Sequence, residues 1–86
     1  MGTPIRVERI QTGMRMEKRI LKVLKALAEY LDMTLGDLIE GIVLHAFEGK
    51  PPFNDPLLKK IEEIKKVYEL DLTSGHSHKL TEIKSE

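Results

Sequence analysis

The chain contains no cysteine and no tryptophan. Without thiols it can form no disulfide, no thiolate metal site and no cysteine nucleophile. Aromatic residues are few, two tyrosines and two phenylalanines. No apolar run approaches the roughly 20 residues that a membrane span needs. The start, MGTPIRVERI, has no apolar core of a signal peptide. It begins Met-Gly, but Arg6 stands where a myristoylation motif requires Ser or Thr. No Gly-rich loop is followed by Lys-Ser or Lys-Thr, and no Ser-His-Asp constellation falls on segments patterned for order. These absences speak against an enzyme, call for no cofactor and predict a soluble, cytoplasmic protein without membrane contact.

At 86 residues the chain allows one small domain with a thin core, too short to enclose a substrate pocket. Domains of this size usually need a staple: disulfides, a metal or a partner subunit. Disulfides are excluded, and oligomerisation is the favoured staple. Histidines offer little for a metal. His76 and His78 form a pair with no third ligand near them in sequence. His45 lies among apolar neighbours and reads as a single interfacial or surface histidine.

The formal net charge of zero conceals an asymmetry. Residues 1–25 hold seven basic groups (Arg6, Arg9, Arg15, Lys18, Arg19, Lys22, Lys25) against two acids, Glu8 and Glu17, a net of +5. The remaining 61 residues carry seven basic groups and twelve acids, a net of −5. A near-neutral chain can therefore still present a basic face to nucleic acid, provided that face is N-terminal.

Taken in order, residues 1–8 read as a flexible arm, since Pro4 disfavours helix and the segment is terminal. Residues 9–16 alternate. Ile10, Thr12, Met14 and Met16 fall on one side, and Arg9, Gln11, Gly13 and Arg15 on the other, the pattern of one short β-strand. Residues 17–31 read as a helix, with Ile20, Val23, Leu24, Leu27 and Leu31 recurring at three and four. Asp32, tolerant of the left-handed conformation, is placed to end it. Thr34 is suited to cap a second helix, with Asp37 three residues on. Leu35, Leu38, Ile39, Ile42, Val43, Ala46 and Phe47 form an apolar stripe too wide for one small chain to hide. That helix is therefore the expected subunit interface, and Gly41 within it would allow close approach of a second helix. Gly49 stops it ahead of Pro51 and Pro52. Residues 49–54 form a linker. A third helix spans 55–70, with Pro56 in its first turn and Leu57, Leu58, Ile61, Ile64, Val67 and Tyr68 on its apolar side. Glu62–Lys66 and Lys65–Glu69 are spaced for pairs on its wet side. Residues 71–86 are polar without sustained period, a tail expected to be disordered.

One alternating segment, a helix, a short turn with a Thr cap and a second apolar helix together resemble the ribbon-helix-helix family of the MetJ/Arc/CopG type. The resemblance covers roughly residues 9–48 and lies in order and spacing rather than identity. At the break between the helices, Asp32, Met33 and Thr34 stand where the family often has Gly, a basic residue and Ser. The implied fold is mainly α with one short β-strand: an intertwined homodimer, here with an additional C-terminal helix. In it two strands pair into an antiparallel ribbon that enters the DNA major groove, a known docking class. Carried over by position, Gln11, Gly13 and Arg15 would face base edges. Arg can bond guanine and Gln can bond adenine in bidentate fashion, while Gly13 departs from the usual polar residue. Thr34, Leu35 and Gly36, at the start of the second helix, would hold phosphate, with Arg9, Lys18 and Arg19 adding contacts. Ile10, Thr12, Met14, Leu38, Ile39, Ile42, Val43 and Phe47 would form the dimer interface.

The expected function is a sequence-specific DNA-binding homodimer, a repressor-like transcription regulator whose partners are double-stranded DNA and a second copy of itself, with several dimers possible on one site. Two alternatives stand beside it. The helix at 55–70 could be the toxin-binding segment of an antitoxin, or could pack back and thicken the core. The chain could also be a helical dimerisation module that binds no DNA.

Overall fold

The structure is a computed structural model and describes residues 2–83. Three α-helices of equal length follow one another: α1 (Lys18–Tyr30), α2 (Leu35–Phe47) and α3 (Asp55–Val67). A 3-10 turn at Ser74–His76 lies beyond them. No helix is long and apolar enough to cross a membrane among the described residues.

The expectation of a β-strand at 9–16, and with it the ribbon-helix-helix fold, is overturned. Among the described residues none is in a strand. Residues 2–17 precede α1 without regular structure, and among the described residues no backbone–backbone hydrogen bond involves residues 2–16. The physical reason is that strand hydrogen bonds come from a neighbouring segment, not from the strand itself. Alternating side chains say only which of two faces each residue takes. Among the described residues the regular structure is wholly helical, and no second extended segment pairs with residues 9–16.

Each helix is bounded by local chemistry. Glu17 caps α1, its Oε1 accepting from the N–H groups of Arg19 at 2.9 Å and Ile20 at 3.0 Å. Thr34 caps α2 through Oγ1, which accepts from Asp37 N–H at 3.1 Å. Asn54 caps α3 by accepting from Leu57 N–H at 3.0 Å, with Pro56 in the first turn, where its missing N–H costs nothing. All three helices end alike. Asp32, Gly49 and Glu69 take positive φ of 55°, 69° and 54°. The N–H groups of Met33, Lys50 and Leu70 then reach back to the carbonyls of Ala28, His45 and Lys65 at 3.0, 2.9 and 2.9 Å. This closure satisfies carbonyls that would otherwise face solvent unpaired.

Helix α1 is the centre of the molecule and packs against both α2 and α3. Among the described residues only four are buried: Val23, Leu27 and Ala28 of α1 and Leu38 of α2. Leu24, Leu31, Ile42, Phe53, Leu57, Ile61 and Ile64 close around them, half-buried. The third helix therefore packs back on α1 through one side, Leu57, Ile61 and Ile64. Its wet side carries Lys60–Glu63 at 2.9 Å and Lys65–Glu62 at 3.4 Å, three residues apart rather than the expected four. Lys60 also stands 5.4 Å above the ring of Tyr30 on α1.

Candidate functional site

The basic groups of residues 1–25 divide into two sets. Lys18, Lys22 and Lys25 lie at helical spacing on α1, all exposed, and have no carboxylate within ion-pair reach among the described residues. Their sequence spacing of four and three puts them on one side of the helix, opposite Val23 and Leu27. The arginines are engaged. Arg9 forks onto Glu40, Nε to Oε2 at 2.9 Å and Nη2 to Oε1 at 2.8 Å. Arg15 donates from Nε to Glu82 Oε1 at 3.1 Å and from Nη2 to the second oxygen. Arg19 donates to Glu17 Oε2 at 3.2 Å, to the Glu69 carbonyl at 3.1 Å and to Asp71 Oδ1 at 2.9 Å.

These contacts shift the acids and bases in the directions charge pairing requires. The Arg9 guanidinium, by hydrogen bond and by charge, holds Glu40 below the ordinary carboxylate range, and Glu40 in return raises Arg9. Glu82 raises Arg15 through its hydrogen bonds. Burial pushes the Glu17 carboxyl up, but the Ile20 N–H and the Arg19 contacts outweigh it and leave it lowered.

Of the expected base-contacting residues, Gln11, Gly13 and Arg15 are exposed on the irregular N-terminal segment. A side chain added at Gly13 would meet nothing within 4 Å. Of the expected phosphate contacts, Thr34 spends its hydroxyl on capping α2. The Leu35 and Gly36 amides lie at the start of the same helix, beside an open depression of about 850 Å³ lined by Arg9, Glu29, Asp32, Met33, Thr34 and Asp37. Three carboxylates against one guanidinium already tied to Glu40 give that depression a negative potential. A phosphate would be repelled there despite the helix dipole. Lys18 remains free, and Arg9 and Arg19 are paired.

The expected interface residues also separate. Leu38 is buried and Ile42 packs on the same core, both used by their own chain. Ile39 is half-buried and Thr12 exposed. Ile10 at 87%, Met14 at 67% and Phe47 at 81% exposure face solvent, and Val43 lies at the margin of exposure. Glu40, Val43 and Phe47 share one side of α2 by their spacing. The Arg9–Glu40 fork therefore brings the N-terminal segment to the same flank as the uncovered Val43 and Phe47. Gly41 has open space around it, with nothing within 4 Å of an added Cβ.

Sequence reasoning missed three acids, Glu40, Asp71 and Glu82, that meet the arginines. Their only signal was the opposite net charge of the two parts of the chain. The histidine nitrogens that are bonded make short-range contacts, His76 Nδ1 also lying 3.3 Å from the Thr73 hydroxyl. His45 Nδ1–H donates to the Gly41 carbonyl at 2.7 Å, and His76 Nδ1 accepts from Thr73 N–H at 2.9 Å. No three His, Asp or Glu side chains converge as metal ligands among the described residues. In comparisons with known proteins, no family model, no curated protein and no solved structure matches the chain.

Proposed function

We propose that this chain binds double-stranded DNA as a homodimer and acts as a repressor-like transcription regulator, using its N-terminal basic region and the free lysines of α1. The single observation that carries the reading is the segregation of charge. Residues 1–25 hold a net of +5, and Lys18, Lys22 and Lys25 project together from one helix side without a partner acid among the described residues. Phosphate contacts of this kind supply most of the affinity of DNA-binding proteins. Arg6 and Gln11, on a segment with no backbone pairing of its own, are available to follow a groove, as basic N-terminal arms do in other DNA-binding proteins, and Arg15 joins them on release from Glu82. The electronegative start of α2 is left out of the contact surface.

Dimerisation rests on the core. Four buried residues among the described 2–83 are few, and small domains short of burial commonly complete it with a partner subunit. Val43 and Phe47, on one side of α2, supply apolar surface for that purpose, and Ile10 and Met14 are exposed on the N-terminal segment.

The test is fluorescence anisotropy with a labelled duplex across a salt series, together with solution mass by light scattering. Expected are a mass of two chains and binding at about 50 mM salt that weakens steeply by about 200 mM. Replacing Lys18, Lys22 or Lys25 by Ala should lower the salt slope by about one for each phosphate that is no longer neutralised. Absence of any duplex binding at low salt overturns the reading. One observation favours a second reading, a helical dimerisation module without DNA: Arg9, Arg15 and Arg19 are all bonded to carboxylates. A two-chain mass with no duplex binding would select it.

A further inference from the structure

The C-terminal segment crosses back over α1 and ends beside the basic N-terminal region. Leu70 and Leu72, half-buried, line a groove of about 480 Å³ together with Ile20, Val23, Leu24 and Ile61 of α1 and α3. Beyond them the segment is shaped rather than loose. Thr73 N–H donates to His76 Nδ1, and His76 N–H returns to the Thr73 carbonyl, each at 2.9 Å. Ser77 N–H closes onto the Ser74 carbonyl at 3.1 Å. The segment thus leaves α3 at Asp71, which meets Arg19, and delivers Glu82 to Arg15.

Both contacts put carboxylate oxygens where a phosphate would be received. A guanidinium presents parallel N–H donors that fit the two oxygens of a carboxylate and of a phosphate equally well. Glu82 takes one forked edge of Arg15, Nε and one N–H of Nη2. Asp71 and the Glu69 carbonyl together take Nη1 of Arg19. The geometry points to an autoinhibitory strap: residues 70–83 seat Asp71 and Glu82 on Arg19 and Arg15 and compete with the phosphates of nucleic acid for those two guanidinium groups. This inference rests on the DNA-binding reading above. Lys18, Lys22 and Lys25 stay outside the strap, so binding is lowered rather than abolished. Exposed ion pairs are individually weak, which makes the strap easy for a duplex to displace and its effect modest.

The experiment uses the full chain carrying Asp71→Asn and Glu82→Gln together. A second variant, Glu62→Gln with Glu63→Gln, makes the same charge change on the wet side of α3. Duplex affinity is measured by anisotropy at about 50 mM salt, where the strap variant should bind about two- to tenfold tighter than the unaltered chain. The control variant should gain distinctly less. Adding Arg15→Ala and Arg19→Ala should erase the gain. In parallel, without DNA, the Arg15 and Arg19 Nε–Hε resonances should move in the strap variant and stay in place in the control. Unmoved resonances overturn the strap itself. Equal affinity of the strap variant and the unaltered chain, or an equal gain in the control, overturns the competition while leaving DNA binding intact. Failure of every variant to bind duplex overturns the DNA-binding reading, and with it the strap's role as a competitor.

Discussion

Arg9 and Glu40, 31 positions apart in sequence, are joined by two nearly parallel hydrogen bonds of 2.9 and 2.8 Å. The fork ties a segment without secondary structure to the middle of α2. Ile10 follows Arg9 directly in the chain and is itself exposed. The ends of the fork are both exposed to solvent, so its strength follows pH and salt closely.

The pH dependence has a definite sign. Glu40 is held below its ordinary value of 4.5 in the folded chain. The contact therefore contributes fully above that value and fades as pH falls through the lower, folded one. Arg9 is raised from an already high value, so no loss occurs on the alkaline side in any ordinary buffer. The amide resonance of Ile10 should hold steady from about pH 7 down to the carboxylate range and then shift as Glu40 protonates. Glu40→Gln should remove that titration. An Ile10 signal that titrates identically in both proteins would rule out the fork as its cause.

The core is small enough that single truncations should be felt strongly. Leu27 is 2% exposed and belongs to the cluster on which Ile42 of α2 and Leu57, Ile61 and Ile64 of α3 pack. Leu27→Ala should cost about 2–5 kcal/mol, read by urea unfolding at fixed protein concentration. A cost under about 1 kcal/mol would mean that Leu27 does not sit in a packed interior.

Packing of α3 on α1 makes a contrast within one helix. Ile61 and Ile64 face the core, whereas Leu58 is nearly half exposed. Ile61→Ala and Ile64→Ala should each destabilise by about 1–3 kcal/mol, and Leu58→Ala by no more than about 0.5 kcal/mol. Equal and negligible effects at all three positions would instead describe a helix held away from the rest, as a free docking arm would be.

The apolar flank of α2 gives a test by mass. Phe47→Glu places a charge on a residue that is 81% exposed in the single chain and removes nothing from its core. If that flank meets a second copy, the variant should run as a single chain at concentrations where the unaltered protein is a dimer. Helix content by circular dichroism should change little. An unchanged mass would move the subunit contact elsewhere.

Much of the helical layout can be read from local signals because helices are local structures. Ile20, Val23, Leu24, Leu27 and Leu31 recur at the helical period, and α1 runs Lys18–Tyr30. Thr34 and Asn54 stand directly before α2 and α3 and cap them. Asp32 and Gly49 adopt the left-handed conformation where the helices end. Glu17 was harder to see as a cap, because Ser, Thr, Asp and Asn usually fill that place. Residues 9–16 misled for a different reason. Alternation is a property of side chains, while a strand exists only through bonds to another segment. The candidate site was legible as charge and not as geometry. The clustering of basic residues before position 26 is plain in the sequence. That Arg15 meets Glu82 and Arg19 meets Asp71, 67 and 52 positions away, has no local signature at all.

Helix α1 touches both other helices, while α2 and α3 make no close approach to each other. Opening the structure from either side therefore leaves α1 still covered on the other, and α1 can be bared only when both neighbours have gone. Amide hydrogen exchange should accordingly be slowest around Leu27 and Ala28 and faster through both flanking helices, with the 2–16 segment exchanging first of all. The three-helix chain would then behave as two hinged covers on one shared spine, each able to lift without the other.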